Sequence, residues 1–414
     1  MWQLTYSLLV LLALPFFVLF SLTKRKIRAN LAERIFPEPI DMSLENGVWI
    51  HAASLGEAVI AENLVGYLRR TTTNPFLVTT NTYYARDLLR KKFRDSVTIR
   101  SLPIDLRWSI KRFVGRSNLA ALLLVETEIW PNLIWIAKKR GMPVIIVNGR
   151  ISDRTIGRYR LLAFFVGKVL SSVDLVLAQS EEHARRFISL GMAPSKVIDT
   201  GNLKYFREIG EMPDTLDTKD SVTFGSLKEK ELPIVFPVVD EVRSRFPNLI
   251  VFVAPRELSL VAAMEKGLSE RHKVARYSAM KQDQTKGEKV VLVDTVGDLV
   301  ALYARSIAAF VGGSLAPYGG QNVLEPLFVG TPVLFGPYVD NFKEAAEEIV
   351  ASGAGFMASD GDDLLSMMAK VLSDPEMRKG LAEAGKSVLE KQRGAMEKAA
   401  SLISEIVWKN SRSS

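Results

Sequence analysis

The chain has 414 residues, 48% of them hydrophobic, and a formal charge of +8, which is enough apolar material for the cores of two or three domains and excludes a disordered polyelectrolyte. It contains no cysteine, so disulfides, iron–sulfur clusters, thiolate zinc sites and a cysteine nucleophile are ruled out. The only histidines are His51, His183 and His272, too widely spaced to suggest a metal cage or a serine–histidine triad, and neither G-x-x-x-x-G-K-[ST] nor G-x-G-x-x-G occurs.

Met1 to Thr23 carries no charge, and Leu8 to Phe20 is nearly continuous Leu, Val, Ala and Phe. Lys24, Arg25, Lys26 and Arg28 follow at once, the reverse of a secretory signal, so the segment reads as an uncleaved membrane anchor with the rest of the chain cytoplasmic. Pro15 and the short flank leave a re-entrant or interfacial segment as the second reading. Lys24 to Lys168 holds 25 Lys+Arg against 12 Asp+Glu, a surplus of 13, so everything after Lys168 sums to −5. A basic membrane-proximal half suits anionic headgroups or an acidic lipid substrate. It lacks the basic-aromatic interleaving of a nucleic-acid binder, and a solvated basic face is the alternative.

After the anchor, short apolar runs alternate with helical patterns: Gly47 to Ala52, a helix from about Glu57 to Arg70, then Phe76 to Thr80, Leu119 to Val125, Pro143 to Val147 and Leu175 to Ala178. This alternation predicts a parallel sheet covered by helices. Ile209 to Asp220 has no periodicity and reads as an interdomain linker. A second unit follows, with strands at Val222 to Phe224, Leu249 to Val253, Lys289 to Val293, Ile307 to Val311 and Pro332 to Phe335, and an amphipathic helical end from about Pro375 to Asn410. The domains are therefore an anchor (1–23), a Rossmann-like domain (24–208), a linker (209–220), a second Rossmann-like domain (221–385), and a C-terminal helix (386–414) expected to pack back on the first. Ligands of doubly wound sheets sit at the carboxyl ends of strands, so the chemistry is sought in the loops there.

His51-Ala52-Ala53-Ser54-Leu55-Gly56-Glu57 runs from the first strand into a helix. Small residues let a ligand approach, and Glu57 is either a general base for a hydroxyl or a cap for the free N–H groups of the helix start. Glu126-Thr127-Glu128-Ile129-Trp130-Pro131-Asn132 puts two acids at the end of an all-apolar strand, where they need a polar cleft or partners; the alternative to a site role is that Glu126 pairs with a buried arginine such as Arg150 or Arg154. In the second domain, Phe224-Gly225-Ser226 and Ala254-Pro255-Arg256 end strands, offering backbone N–H groups and a guanidinium to a phosphate or carboxylate. Gly312-Gly313-Ser314 followed by Tyr318-Gly319-Gly320-Gln321-Asn322-Val323-Leu324-Glu325 suggests a close-approach loop. Its second turn is expected to open a helix that holds a phosphate, with Glu325 accepting from ribose hydroxyls. Asp360-Gly361-Asp362 resembles an acidic metal pair but reads better as a helix cap.

Together these motifs closely resemble the bacterial 3-deoxy-D-manno-octulosonic acid (Kdo) transferases, glycosyltransferases of the GT-B fold. The matching elements are the anchor, His51 to Glu57, Glu126 to Asn132, Asn148-Gly149-Arg150-Ile151-Ser152, Gln179 to Glu182, Gly201-Asn202-Leu203-Lys204, Pro255-Arg256, Asp294 to Leu299, and Gly312 to Glu325, in family order across nearly the whole chain. The resemblance implies an α/β fold of two doubly wound domains facing a cleft. It also implies inverting transfer of Kdo from CMP-Kdo to a lipid A precursor (lipid IVA) in lipopolysaccharide core synthesis, at the bacterial inner membrane, with no cofactor and no metal. Glu57 matches the family's base and Glu126 its second acidic residue. Ser54, Gly56, Thr127 and Glu128 fall on the acceptor side, and Lys204, Ser226, Arg256, Gly312, Gly313, Ser314, Asn322 and Glu325 on the donor side. The chain departs from the family pattern at Glu257 and Gln321, where histidine is common, and at Asn202, where serine is frequent. The alternatives are a GT-B enzyme using a UDP-sugar, a sugar-nucleotide epimerase, or a non-catalytic membrane scaffold that binds the lipid.

Overall fold

The computed structural model describes residues 2–23, 31–206, 220–282 and 287–409. Lys24, Arg25, Lys26, Arg28 and all of the expected linker except Asp220 lie outside them. Two units are built: residues 1–206 with 392–414, and residues 207–391.

The first unit carries one parallel sheet of seven strands: β1 (Val48–His51), β2 (Phe76–Thr80), β3 (Thr98–Ser101), β4 (Ala121–Val125), β5 (Val144–Gly149), β6 (Leu175–Ala178) and β7 (Val197–Asp199). Their order is β3-β2-β1-β4-β5-β6-β7, with β1 parallel to both β2 and β4. Helices on both faces explain why β1, β2, β4, β5 and β6 are buried at every position and read as continuous apolar runs. Trp49, Leu122 and Leu124 fill one core, and Val48, Ile50, Leu123 and Val125 the other. The helix Pro375–Ser404 delivers Ala395, Met396, Ala399, Ala400 and Ile403 to that second core.

The second unit repeats the plan with β8 (Ser221–Leu227), β9 (Ile250–Pro255), β10 (Val274–Arg276), β11 (Val290–Leu292), β12 (Ser306–Val311), β13 (Val333–Phe335) and β14 (Gly355–Met357). The order is β10-β11-β9-β8-β12-β13-β14, all parallel. In each sheet the chain reverses its direction of winding between the first strand and its later neighbour, β1/β4 and β8/β12. A crevice opens at the carboxyl ends of such a pair.

The N-terminal segment differs from the spanning anchor expected of it. No helix among the described residues is long and apolar enough to cross a membrane. The helix Trp2–Thr23 lays one face on the first unit. Trp2 meets Phe164 edge-on at 5.3 Å, Tyr6 packs against Trp135 and Phe165, and the Ser7 hydroxyl donates to Asn132 Oδ1 at 3.0 Å. Leu4, Leu8, Leu9, Leu11, Leu12 and Phe16 are left exposed.

Candidate active site

At the end of β1 the chain turns through Ala52 and Ala53 into the helix Leu55–Leu68, whose N-cap is Ser54. Ser54 Oγ accepts the Glu57 N–H at 3.3 Å, and its hydroxyl donates to Glu57 Oε1 at 2.8 Å. The other carboxylate oxygen, Oε2, accepts the Ala53 N–H at 2.7 Å. Glu57 is only 7% exposed. Burial, reinforced by the charges of Glu128 and Glu126 and opposed by the Ser54 and Ala53 hydrogen bonds, pushes its carboxyl up to about 7. Of the two roles its position suggested, the hydrogen bonds show the capping one: Glu57 accepts from Ala53 and Ser54 at the helix start.

The neighbouring strand β4 is followed by Glu126, whose N–H donates to Val147 O at 2.8 Å and whose φ of 59° lies in the left-handed region. That conformation is costly for a glutamate and turns the backbone sharply at the sheet's edge. Glu126, Thr127 and Glu128 are all half-buried. Glu128 accepts from Trp130 Nε1 at 2.7 Å, and His51 Nε2 lies 3.5 Å from its Oε2. Although burial raises the Glu128 carboxyl, His51, Trp130 and the Arg34 charge hold it below the usual range. Arg34 is therefore a cation serving Glu128. Pro131 opens the next helix, whose first N–H groups, of Asn132 and Leu133, donate to the buried Asp105 carboxylate at 3.1 and 2.9 Å. Burial pushes Asp105 up to about 6, and the Tyr6 hydroxyl donates to it at 2.8 Å, so the N-terminal helix is bonded to the support of this turn.

Asn148, also left-handed with φ 57°, ends β5 and accepts the Leu203 N–H on its Oδ1 at 2.8 Å. This places Lys204 next to Gly56: a Cβ on Gly56 would lie 3.9 Å from Lys204 Cε. Lys204, expected among the donor-side residues, belongs to the first unit beside the Glu57 helix.

In the second unit an irregularity near the end of β8 holds Ser226, 7% exposed with φ 58°, against the turn after β12. A Cβ on Gly312 would come within 2.9 Å of Leu227 Cα and Ser226 O, so only glycine fits. Two expectations are corrected here. The N–H groups of Gly313, Ser314 and Leu315 do not face a ligand: they donate to the fully buried Glu231 carboxylate at 2.6, 2.9 and 2.9 Å. The Ser314 side chain is equally buried, donating to Val311 O at 2.6 Å and accepting the Gly336 N–H at 2.8 Å, so Gly313 and Ser314 shape the loop instead of touching a donor. Nor does an α-helix open after Gly320; Asn322 Oδ1 accepts the Leu324 N–H at 3.1 Å, and a single 3₁₀ turn, Leu327–Val329, follows. Arg256 is exposed at the end of β9, where its N–H donates to Leu227 at 2.8 Å. Lys228 pairs with Glu257 at 3.0 Å and lies over the Tyr318 ring at 5.4 Å, so the acid at position 257 brings its own counter-charge. Asn322 and Glu325 are half-buried on the same loop. Asp360 caps the helix Gly361–Ser373 by accepting the Asp363 N–H at 2.9 Å, and among the described residues no group of three His, Asp or Glu could hold a metal.

Sequence reasoning missed Glu231, Lys228 and the part played by His51. Glu231 had one available signal, an acid just past a small-residue strand end and opening a helix. Its partners, however, lie more than eighty residues downstream.

A family model described as 3-deoxy-D-manno-octulosonic-acid transferase (kdotransferase) matches residues 28–207. The 3-deoxy-D-manno-octulosonic acid transferase of Haemophilus influenzae is 32% identical over 99% of this chain and 100% of its own length. A bifunctional glycosyltransferase/methyltransferase of Fusobacterium nucleatum is 31% identical over 94% of this chain, which spans 61% of that longer protein. Among solved structures, the UDP-GlcNAc 2-epimerase of Neisseria meningitidis bound to UDP-GlcNAc superposes with a TM-score of 0.60 at 14% identity, over 88% of this chain and 100% of that one. That likeness establishes the two-unit parallel α/β fold of GT-B type.

Proposed function

Because the chain belongs to the 3-deoxy-D-manno-octulosonic acid transferase family, we propose that it moves Kdo from CMP-Kdo to a hydroxyl of a lipid A precursor, lipid IVA, with Glu57 as general base. Glu57 Oε takes the hydroxyl proton while the acceptor oxygen attacks the anomeric carbon of Kdo. The bond from that carbon to the phosphate oxygen breaks, CMP leaves with the electron pair, and the anomeric centre inverts. The observation that carries the reading is the Glu57 carboxylate itself, oriented by Ala53 and Ser54 at the β1/β4 switch point and titrating at about 7. A base is most effective when its pKa lies near the operating pH.

Glu126, Thr127 and Glu128 line the acceptor side with Ser54 and Gly56, and Lys204 offers positive charge there. Arg256, with Ser226, Asn322 and Glu325, meets the nucleotide, Arg256 stabilising the departing phosphate electrostatically. The helix Trp2–Thr23 lies in the headgroup layer of the inner membrane, its exposed leucines and Phe16 continuing into exposed Leu161, Leu162 and Phe164. The reading is tested by the pH dependence of transfer from CMP-Kdo to lipid IVA in detergent. Turnover falls on the acid side with a midpoint near 7 and is lost in Glu57→Ala. A rate in Glu57→Ala equal to wild type at any pH would remove Glu57 from the mechanism.

A further inference from the structure

We infer that His51 is a positioning residue for the base: held on β2 through one ring nitrogen, it turns the other to Glu128 and keeps that carboxylate paired beside Glu57. This rests on Glu57 being the base in the reaction proposed above.

His51 is the last residue of β1 and is fully buried. Its Nδ1 lies 3.0 Å from the Thr79 carbonyl oxygen and 3.1 Å from Thr79 Oγ1, which also accepts from Trp49 Nε1 at 2.9 Å. The Thr79 carbonyl accepts and its hydroxyl can donate, so the two groups hold the ring through this one nitrogen. Nε2 has no hydrogen-bond partner within ordinary reach and faces Glu128 Oε2 at 3.5 Å. A bare Nε2 would set its lone pair against a carboxylate, whereas an Nε2–H makes a charge-assisted contact with it.

The charges around His51 come from every element packed there. Glu57 lies on the helix Leu55–Leu68, and Glu126 and Glu128 on the turn after β4. Arg34 on the helix Leu31–Ile35 and Tyr159 on the helix Asp153–Leu161 also sense Glu128, while Thr79 on β2 is uncharged. Glu128 thus has the Arg34 charge and the His51 ring set against it. Arg34 is itself fixed, its Nε donating to Leu102 O at 3.0 Å. Removing the His51 contact leaves Glu128 less compensated, which makes Glu57 harder to ionise; removing Glu128 acts in the opposite direction.

The test is kcat against pH for the full chain and for His51→Gln, Glu128→Gln and the double variant, with unfolding temperatures confirming folding. His51→Gln moves the acid-side midpoint up by about one unit, a loss of about tenfold at pH 6 that nearly vanishes at pH 9. Glu128→Gln moves it down, and the double variant follows Glu128→Gln because His51 then has nothing to hold. If Glu128→Gln is too slow to assay, the same midpoints are read from unfolding temperature against pH, each chain compared with its Glu57→Gln counterpart. A loss in His51→Gln that is equal at every pH, or a full shift that persists without Glu128, overturns the inference. Should Glu57→Gln stay active with an unaltered acid limb, the base assignment itself fails. If Glu57→Gln is inactive while His51→Gln keeps the wild-type midpoint, only the role of His51 fails.

Discussion

Replacing Glu57 by glutamine is expected to abolish turnover and yet stabilise the fold above neutral pH. The folded carboxyl holds its proton to about pH 7, whereas the unfolded one releases it near 4.5. Between these values the folded chain binds more protons, so stability falls as pH rises, and above 7 the whole difference of about 3 kcal/mol weighs against folding. Glutamine is neutral throughout. Its Oε1 can keep the Ala53 N–H and its amide can donate to Ser54 Oγ, since the hydroxyl rotates. An amide that fits these two partners less well than the protonated carboxyl costs about 1 kcal/mol, leaving a gain of about 2 kcal/mol at pH 8.5 and none at pH 5. For a unit of this size that is a rise of about 4–8 °C in unfolding temperature, read by differential scanning fluorimetry of wild type and variant across pH. A Glu57→Gln chain no more stable than wild type at pH 8.5, or equally shifted at both pH values, would refute a carboxyl held protonated by burial.

Three further substitutions probe the supports of the site. Glu231→Ala strands the N–H groups of Gly313, Ser314 and Leu315 and should destabilise the second unit by about 3 kcal/mol or more while weakening CMP binding, measured by thermal unfolding and calorimetry. Gly312→Ala forces a methyl to within 2.9 Å of Leu227 Cα and Ser226 O, backbone atoms that cannot swing aside, so it should lower the unfolding temperature of the second unit even though φ there is ordinary. Asp105→Asn keeps one acceptor oxygen for the Asn132 and Leu133 N–H groups but loses the charge. It should cost about 1 kcal/mol and speed proteolysis within residues 2–16, because Tyr6 loses its strongest acceptor.

How much of this was legible in the sequence depends on where a residue's partners lie. The strands Phe76–Thr80 and Leu175–Ala178 are read to the residue because a central parallel strand is buried on both faces and shows as an unbroken apolar run. The strands that escaped, Thr98–Ser101, Val197–Asp199, Val274–Arg276 and Gly355–Met357, are the four sheet edges. Each has only three or four residues, and three of them carry Arg or Asp, so no run rises above the background. Glu57 and the Glu126 turn stand out since an acid after an apolar strand is conspicuous. Glu231 does not, because its burial is created by a loop more than eighty positions away. Gly313 and Ser314 look like a phosphate cradle on local grounds, and it takes the tertiary structure to show the cradle filled by the chain's own carboxylate. The place of Lys204 beside Gly56 is hidden for the same reason: the Asn148 to Leu203 bond that brings it there joins segments 55 residues apart.

The most direct test is a product assay by mass spectrometry with the purified full chain, CMP-Kdo and tetraacylated lipid IVA, alongside Glu57→Gln. Wild type is expected to make lipid heavier by whole Kdo units and to release an equivalent of CMP for each, and the folded Glu57→Gln chain to make none. Unmodified lipid from wild type while a UDP-sugar is consumed, or full product from Glu57→Gln, would contradict it.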